Sequence, residues 1–113
     1  MLRSVVHIDF TDPDRQGHGL HNIENILRDQ AGSAEIEIVC HGAGLGLLIR
    51  DESAHGDLVT GLIQKGIVVV ACENTMNEKG IRPDDLVAGV GTVPSGAVEV
   101  IRKQQEGYAY FKP

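Results

Sequence analysis

Residues 66–76 read Gly-Ile-Val-Val-Val-Ala-Cys-Glu-Asn-Thr-Met. Residues 67–71 form an unbroken apolar and mostly β-branched run, which is typical of a short strand buried on both faces of a sheet. Such a sheet needs helices on both sides. Cys72 follows where the strand should end, and Asn74 and Thr75 favour the N-cap of a helix. We therefore expect the sulfur atom at a strand-to-helix junction, where backbone N–H groups stabilise a thiolate.

Cys72 also has a second interpretation, because free cysteine is among the most often buried residue types and packs like a small hydrophobic side chain. Glu73 opposes activation of the thiol, since an adjacent carboxylate raises a thiol pKa unless it points away. From position alone, a reactive thiol and inert packing are about equally well supported.

Length and charge limit the possible classes of protein. A chain of 113 residues is expected to form one domain over residues 1–113 and to bury a core without disulfides or metal staples. The formal net charge is −6, and no basic cluster exceeds the pair Arg102 and Lys103. This composition predicts no nucleic-acid partner.

The N-terminal residues and the cysteines indicate the compartment. A very short apolar stretch meets Asp9, so neither a signal peptide nor a membrane helix is predicted, and we expect a cytoplasmic protein without membrane partners. Cys40 and Cys72 form no Cys-x-x-Cys motif, which disfavours a thioredoxin-like or structural zinc site. Sulfur chemistry would start from one thiol, and Cys40, inside an apolar run, is predicted to be structural.

Apolar periodicity predicts strands that alternate with helices along the whole chain. The first strand covers Ser4 to Phe10 and is followed by a loop to Gly19. In the last helix, Ala97, Val98 and Ile101 are expected to face the sheet, while Glu99 and other charged residues face water. Further strands are expected at residues 35–41, 67–71, 90–93 and 108–111, and helices at 20–32, from Ser53 or His55 to 65, at 74–79 and from 95 to 106.

This pattern predicts a three-layer α/β/α fold with a five-stranded, mainly parallel sheet, in which residues 108–111 form an edge strand. Ligands bind such sheets beyond the carboxyl ends of the strands. Asp9, His41, Cys72 and Thr92 all fall there. His41 beside a thiol is a candidate proton acceptor, although a hydrogen-bonded structural histidine is the alternative.

The remaining histidines and glycines give weaker signals. His18 and His21 stand three apart, but no third ligand has matching spacing, so we predict no metal and a solvated face. His7 is expected in the core or an interface, and His55 at the start of an exposed helix. The glycines of segment 42–46 lack the spacing of phosphate-binding loops, which makes nucleotide binding a weak expectation.

Several segments together resemble the DsrE/DsrF-like family of small cytoplasmic proteins. They are Val-Val-Ala-Cys-Glu-Asn-Thr-Met (residues 69–76), Gly-Ile-Arg-Pro-Asp-Asp-Leu (80–86), Gly-Thr-Val-Pro-Ser-Gly-Ala-Val-Glu-Val-Ile (91–101), Gln-Glu-Gly-Tyr-Ala-Tyr-Phe-Lys-Pro (105–113), Val-Cys-His-Gly (39–42) and Gly-Leu-Gly-Leu-Leu (44–48). The likeness covers nearly the whole chain. No single motif is specific, but their order and spacing are.

The resemblance implies a five-stranded α/β/α domain that assembles into trimers or hexamers, with a cysteine that carries a persulfide in sulfur-relay members; Cys72 is the matching position. The expected function is thus sulfur relay between donor and acceptor proteins without a cofactor. Cys72 and His41 are the catalytic candidates, and Asn74, Thr75, Gly42 and Gly44 the substrate-binding candidates. The alternatives are an oligomeric assembly module with an inert Cys72, or a small-molecule or nucleotide binder that uses the glycine segment.

An apolar share of 42% supports the expectation of a homo-oligomer. The apolar run from Leu45 to Ile49 and the edge strand from Tyr108 to Phe111 are the surfaces expected to be buried between subunits.

Overall fold

The computed structural model describes residues 1–113 and contains five strands, four α-helices and two 3₁₀ helices. The strands are β1 (Leu2–Ile8), β2 (Ala34–Cys40), β3 (Val68–Cys72), β4 (Gly91–Val93) and β5 (Ala109–Phe111). The α-helices are α1 (Pro13–Asp29), α2 (Gly56–Gln64), α3 (Glu73–Lys79) and α4 (Gly96–Gln105). The 3₁₀ helices cover Gly42–Leu48 and Pro83–Asp85.

All five strands belong to one parallel sheet, in the order β4-β3-β2-β1-β5. The predicted α/β class and the edge position of β5 are confirmed. Cys40 stands beside Ile8 in the register of β1 and β2, and beside Ala71 in the register of β2 and β3. The carboxyl ends of the three central strands therefore meet at one edge of the sheet.

The valine-rich stretch forms the strand that its sequence predicts, one residue later than expected. β3 starts at Val68, whose side chain is 52% exposed, and Val69 to Cys72 are buried. The burial on both faces that the sequence predicts thus applies from Val69 onward.

The two faces of the sheet are covered unequally. One face packs against α1, α2 and α3 in a cluster of 20 buried residues, which includes Leu20, Val59 and Met76 from those helices. The other face packs against α4 alone, and its cluster has four members, namely Val5, Val39, Val70 and Val100. The second layer is therefore thin, and α4 controls access to it.

The predicted loop up to Gly19 is wrong, because α1 already begins at Pro13. Asp12 caps the helix by accepting a hydrogen bond from Asp14 N, and proline fits the first helical position. Gly17 and Gly19 reduce the sequence signal for a helix there, but they allow close packing. A Cβ on Gly17 would lie 2.7 Å from the ring of His55, and one on Gly19 would lie 2.9 Å from Pro113.

The face assigned to α4 is also wrong. Ala97, Val98 and Ile101 are exposed, whereas Val100 packs on the sheet and Glu99, expected in water, is buried. The thin layer needs only one large apolar contact from α4, and the close approach is made by Gly96. Apolar content therefore did not identify the packed side of this helix.

The apolar run at 45–49 is likewise not a free surface, since Leu45, Leu47, Leu48 and Ile49 are buried in the core of the single chain. It therefore gives no support to an oligomer. None of the helices combines the length and the apolar content needed to cross a bilayer.

Candidate functional site

Three neighbouring strands carry reactive side chains to the same face of the sheet, at its carboxyl edge. Side chains alternate along a strand, so His7 shares the face of Val5, and Cys72 shares the face of Val70. His41 follows Val39 by two residues and continues that face beyond the end of β2. This is the thinly covered face, under the N-terminal end of α4.

Cys72 is itself the N-cap of α3 and precedes both predicted caps, Asn74 and Thr75. Its backbone is extended (φ −75°, ψ 118°), and Glu73 is already helical. The strand thus passes into the helix without a loop. The Cys72 side chain is 4% exposed.

Two opposing effects act on the pKa of Cys72. Burial raises it, but hydrogen bonds from the backbone N–H groups of Gly96, Thr75 and Asn74 and from the Thr75 hydroxyl lower it, and the net direction is down. The Cys72 side chain completes no cap hydrogen bond with α3, so the N–H groups of Asn74 and Thr75 act on the thiolate as nearby dipoles. The helix N-terminus contributes in the same direction.

Thr75 connects this thiol to the segment after β2. Its hydroxyl oxygen accepts a hydrogen bond of 2.8 Å from Gly42 N, which leaves the hydroxyl proton free to be donated to the sulfur. Asn74 has an exposed side chain, and its N–H also donates to the carbonyl oxygen of Pro94 at 3.3 Å. Of the two predicted binding residues, Thr75 is therefore better placed than Asn74 to hold the Cys72 sulfur with its side chain.

Glu73 does not act against Cys72 as its position in the sequence suggests. Its carboxylate accepts a 2.7 Å hydrogen bond from the hydroxyl of Thr92, and it is not among the groups that shift the Cys72 pKa. Thr92, another residue singled out by strand position, thus holds the carboxylate beside β4.

Cys40 provides the contrast. It leaves the opposite face of the sheet, is fully buried in the larger cluster, and burial raises the pKa of its thiol. The prediction that Cys40 is a core side chain is confirmed, and both cysteines are free.

His41 starts next to Cys72, but its ring points elsewhere. A Cβ on Gly96 would lie 2.9 Å from Cβ of His41 and 3.2 Å from Cβ of Cys72, so the two side chains flank the same glycine. His41 Nε2 contacts His7 Nε2, and no hydrogen bond joins His41 to Cys72. Its role as proton acceptor stays a prediction.

His7 belongs to this site, although from the sequence we expected it only in the core or an interface. Its Nδ1 lies 2.7 Å from the hydroxyl oxygen of Tyr110, and burial together with His41 lowers its pKa. Two residues along the chain, Asp9 pairs with the ammonium of Lys112 at 3.0 Å, and this partner lowers the pKa of the Asp9 carboxyl. A usable signal was the spacing of His7 and Asp9, because side chains two residues apart on an extended chain point to the same face, and Asp9 directly follows the end of β1.

The predicted glycine candidates serve the fold. The N–H of Gly42 binds Thr75, and the N–H of Gly44 donates to the carbonyl oxygen of His41 at 3.0 Å, so neither is free for a phosphate group. Gly44 is buried against the backbone of Ile8 and Asp9, where no Cβ would fit.

The other histidines lie outside this edge. His18 and His21 lie within α1, both exposed, and His21 pairs with Glu24 at 2.8 Å. His55 precedes α2 and its Nε2 lies 2.7 Å from the carbonyl oxygen of Pro13. The solvated face expected for His18 and His21 is confirmed.

Comparisons with known proteins agree with this architecture. The sequence model of the DsrE/DsrF-like family matches residues 4–113. The protein of unknown function MTH1491 from Methanobacterium thermoautotrophicum is similar over 100% of both chains, with 37% identity and a TM-score of 0.95. The ychN protein from E. coli shares the fold over 100% of both chains, with 14% identity and a TM-score of 0.82. None of the curated proteins matches the chain.

Proposed function

The chain belongs to the DsrE/DsrF-like family, and we propose that it takes part in sulfur relay, with Cys72 as the residue that carries sulfane sulfur as a persulfide. One observation supports this proposal above the others. Cys72 is the N-cap of α3, and the N–H groups of Asn74, Thr75 and Gly96 and the Thr75 hydroxyl near its sulfur lower its pKa despite burial. A sulfur atom that is negative before and after each transfer needs such donors.

The chemistry balances without a cofactor. The Cys72 thiolate attacks the outer sulfur of a donor persulfide, a new S–S bond forms at Cys72, and the donor leaves as a thiolate. In the second step an acceptor thiolate attacks the outer sulfur, and Cys72 leaves with the electron pair. A lowered pKa makes Cys72 a good leaving group in this step.

Access to the sulfur is the main demand on the protein. Cys72 is 4% exposed, and Gly96 at the start of α4 lies directly over Cβ of Cys72. Transfer therefore includes a movement of α4 or of the Pro94–Gly96 segment that opens the thin layer.

The proposal includes the assembly and location expected from the resemblance. A homo-oligomer, trimeric or hexameric, would cover the exposed Val98 and Ile101 of α4, and donor and acceptor proteins would exchange sulfur with it. A cytoplasmic location would keep both cysteines reduced.

Intact-mass spectrometry after incubation with polysulfide tests the proposal. We expect one added sulfur atom per chain, lost on treatment with a reducing thiol. Cys72→Ser should abolish the addition, and Cys40→Ala, the matched control, should keep it. Addition that depends on Cys40, or none at all, would contradict the proposal.

The competing function is an oligomeric assembly module in which Cys72 only packs. The low exposure of Cys72 favours this alternative. It predicts that Cys72→Ala and the unmodified protein assemble alike and that neither takes up sulfur, so the same mass measurement separates the two functions.

A further inference from the structure

A second group of reactive side chains lies at the same edge, on the side of His41 away from Cys72. His7, Asp9 and His41 each present one possible ligand atom, and these three atoms lie within 4.8 Å of one another. All three side chains are half-buried, so they are shielded without being closed to solvent. Two imidazoles and a carboxylate form a donor set typical of zinc and of other divalent transition metals.

We propose that His7 Nε2, His41 Nε2 and the Asp9 carboxylate bind one divalent transition-metal ion, with zinc as the best match. The two Nε2 atoms lie 2.5 Å apart in a hydrogen bond, so one of them carries a proton that the metal ion must displace. Tetrahedral bonds of ~2.0–2.1 Å would separate them to roughly 3.3 Å, which needs only a small opening. Three protein ligands leave a fourth position for water or another ligand.

The surroundings of His7 fit this assignment. Metal-bound histidines usually donate their other ring N–H to a neighbouring oxygen, which fixes the tautomer. His7 Nδ1 has such a partner in the Tyr110 hydroxyl at 2.7 Å. When Nδ1 carries the proton, Nε2 keeps the lone pair that a metal requires. Tyr110 is thus a positioning residue.

Lys112 supplies a cation to the site in the absence of a metal. Its ammonium contacts both carboxylate oxygens of Asp9, at 3.0 and 3.2 Å. A metal ion must displace this ammonium, after which the carboxylate is free to turn toward the two imidazoles. Lys112 therefore competes with the metal, which a residue with a purely structural role would not do.

Titration with Zn²⁺ by calorimetry, and with Co²⁺ by absorption, tests the site in the full chain. We expect one ion per chain. His7→Ala, His41→Ala and Asp9→Asn should each weaken binding at least about tenfold, and Tyr110→Phe about tenfold, as changes around metal sites do. Lys112→Met should strengthen binding roughly two- to fivefold, which is the range of an exposed ion pair.

Two control variants separate loss of metal binding from a general effect of substitution and from the sulfur chemistry of Cys72. His21→Ala removes an exposed histidine that also has a carboxylate partner, and should bind as the wild type does. Cys72→Ser should leave Zn²⁺ binding unchanged whether or not Cys72 carries sulfur. The proposal would be overturned if the wild type showed no saturable binding, or if binding survived both His7→Ala and His41→Ala. It would also be overturned by a sulfur-to-cobalt charge-transfer band that disappears in Cys72→Ser, because the metal would then be bound by the thiolate.

Discussion

Cys40 and Cys72 end neighbouring strands, but their side chains leave opposite faces of the sheet. Cys40 is surrounded by apolar side chains, and its pKa is raised by burial alone. Burial acts on Cys72 in the same direction, but four hydrogen-bond donors more than compensate. The groups around each sulfur therefore shift the two thiol pKa values in opposite directions.

Thr75→Val should raise the pKa of Cys72 and slow its alkylation at neutral pH, because valine keeps the shape but removes the hydroxyl donor. The measurement is the alkylation rate against pH in a Cys40→Ala background. Thr60→Val is the matched control, since the Thr60 hydroxyl donates to Gly56 within α2. Equal Cys72 pKa values in both variants would contradict this account of Thr75.

The carboxyl group of Glu37 predicts how the stability of the fold depends on pH. Burial and the neighbouring Glu99 raise its pKa from 4.5 to about 7, with Glu106 acting in the same direction and Lys103 opposing. The folded state thus holds a proton that the unfolded state releases, so this contribution to stability is complete below pH ~4.5 and is lost as the pH rises to ~7. Its upper limit is about 3 kcal/mol.

Glu37→Gln removes this titration, and its stability relative to the wild type should rise between pH 4.5 and 7. Urea unfolding at several pH values measures the difference. Glu35→Gln, at an exposed position on the same strand, is the control. A difference that stays constant with pH would show that Glu37 titrates normally.

At the residue scale the sequence predicted the strand-to-helix position of Cys72 and placed Asp9 and His41 at the carboxyl edge of the sheet, but it did not bring His7 to them. Cys72 could be found because strand, cysteine and helix start follow one another along the chain. The cluster of His7, Asp9 and His41 joins two strands that are paired only in the folded sheet, and strand order cannot be read from apolar periodicity. His41 was thus assigned to Cys72, although its Nε2 meets His7.

At the scale of elements, α4 matters most for the site, because its first residue approaches the ends of β2 and β3. Gly96 is buried, and a Cβ there would lie 2.9 Å from Cβ of His41 and 3.2 Å from Cβ of Cys72. Ser95 fixes the start of the helix by accepting a hydrogen bond from Val98 N. This places the N–H of Gly96 at the sulfur.

Gly96→Ala should move α4 away from the sheet, destabilise the protein by about 1–3 kcal/mol, and expose Cys72 to alkylating reagents. Gly61→Ala is the matched control, because a Cβ at this helical position meets nothing within 4 Å. It should be neutral or stabilising by up to ~1 kcal/mol. Equal stability of the two variants would contradict the close approach of α4.

Element order was predictable, but helix limits and faces were less so. Each apolar run predicted to be a strand became one. Burial on both faces accounts for the runs in β1, β2 and β3, whereas β4 and β5 are edge strands with mostly exposed residues. The start of α1 was missed because two glycines weaken a helical pattern that Asp12 and Pro13 nevertheless begin. The side of α4 was misassigned because its packed side includes a glycine and a glutamate.

At the scale of the whole molecule, the uneven cover of the sheet leaves apolar surface on the α4 side. Val98 is 47% exposed and Ile101 57% exposed, and they lie one helical turn apart. The Leu45–Ile49 run, which the sequence offered as a contact surface, is buried in the chain itself. A homo-oligomer would therefore be built through α4.

Ile101→Glu should convert such an oligomer to monomers, because a charge at the centre of an apolar contact is costly to bury. Light scattering at micromolar concentration measures the mass. Lys79→Glu, which reverses a charge at an exposed position of α3, is the control and should keep the oligomer. A wild-type protein of 12.1 kDa in solution would contradict the proposed assembly.

The pKa of Cys72 distinguishes a thiol that carries sulfur from a cysteine that only packs. It is obtained from the alkylation rate against pH in Cys40→Ala, where Cys72 is the one remaining thiol. The account predicts a value clearly below the ~8.5 of an unperturbed cysteine, because the donors at the start of α3 and at Gly96 outweigh burial. A value at or above ~8.5 would contradict it and leave Cys72 as a packing residue.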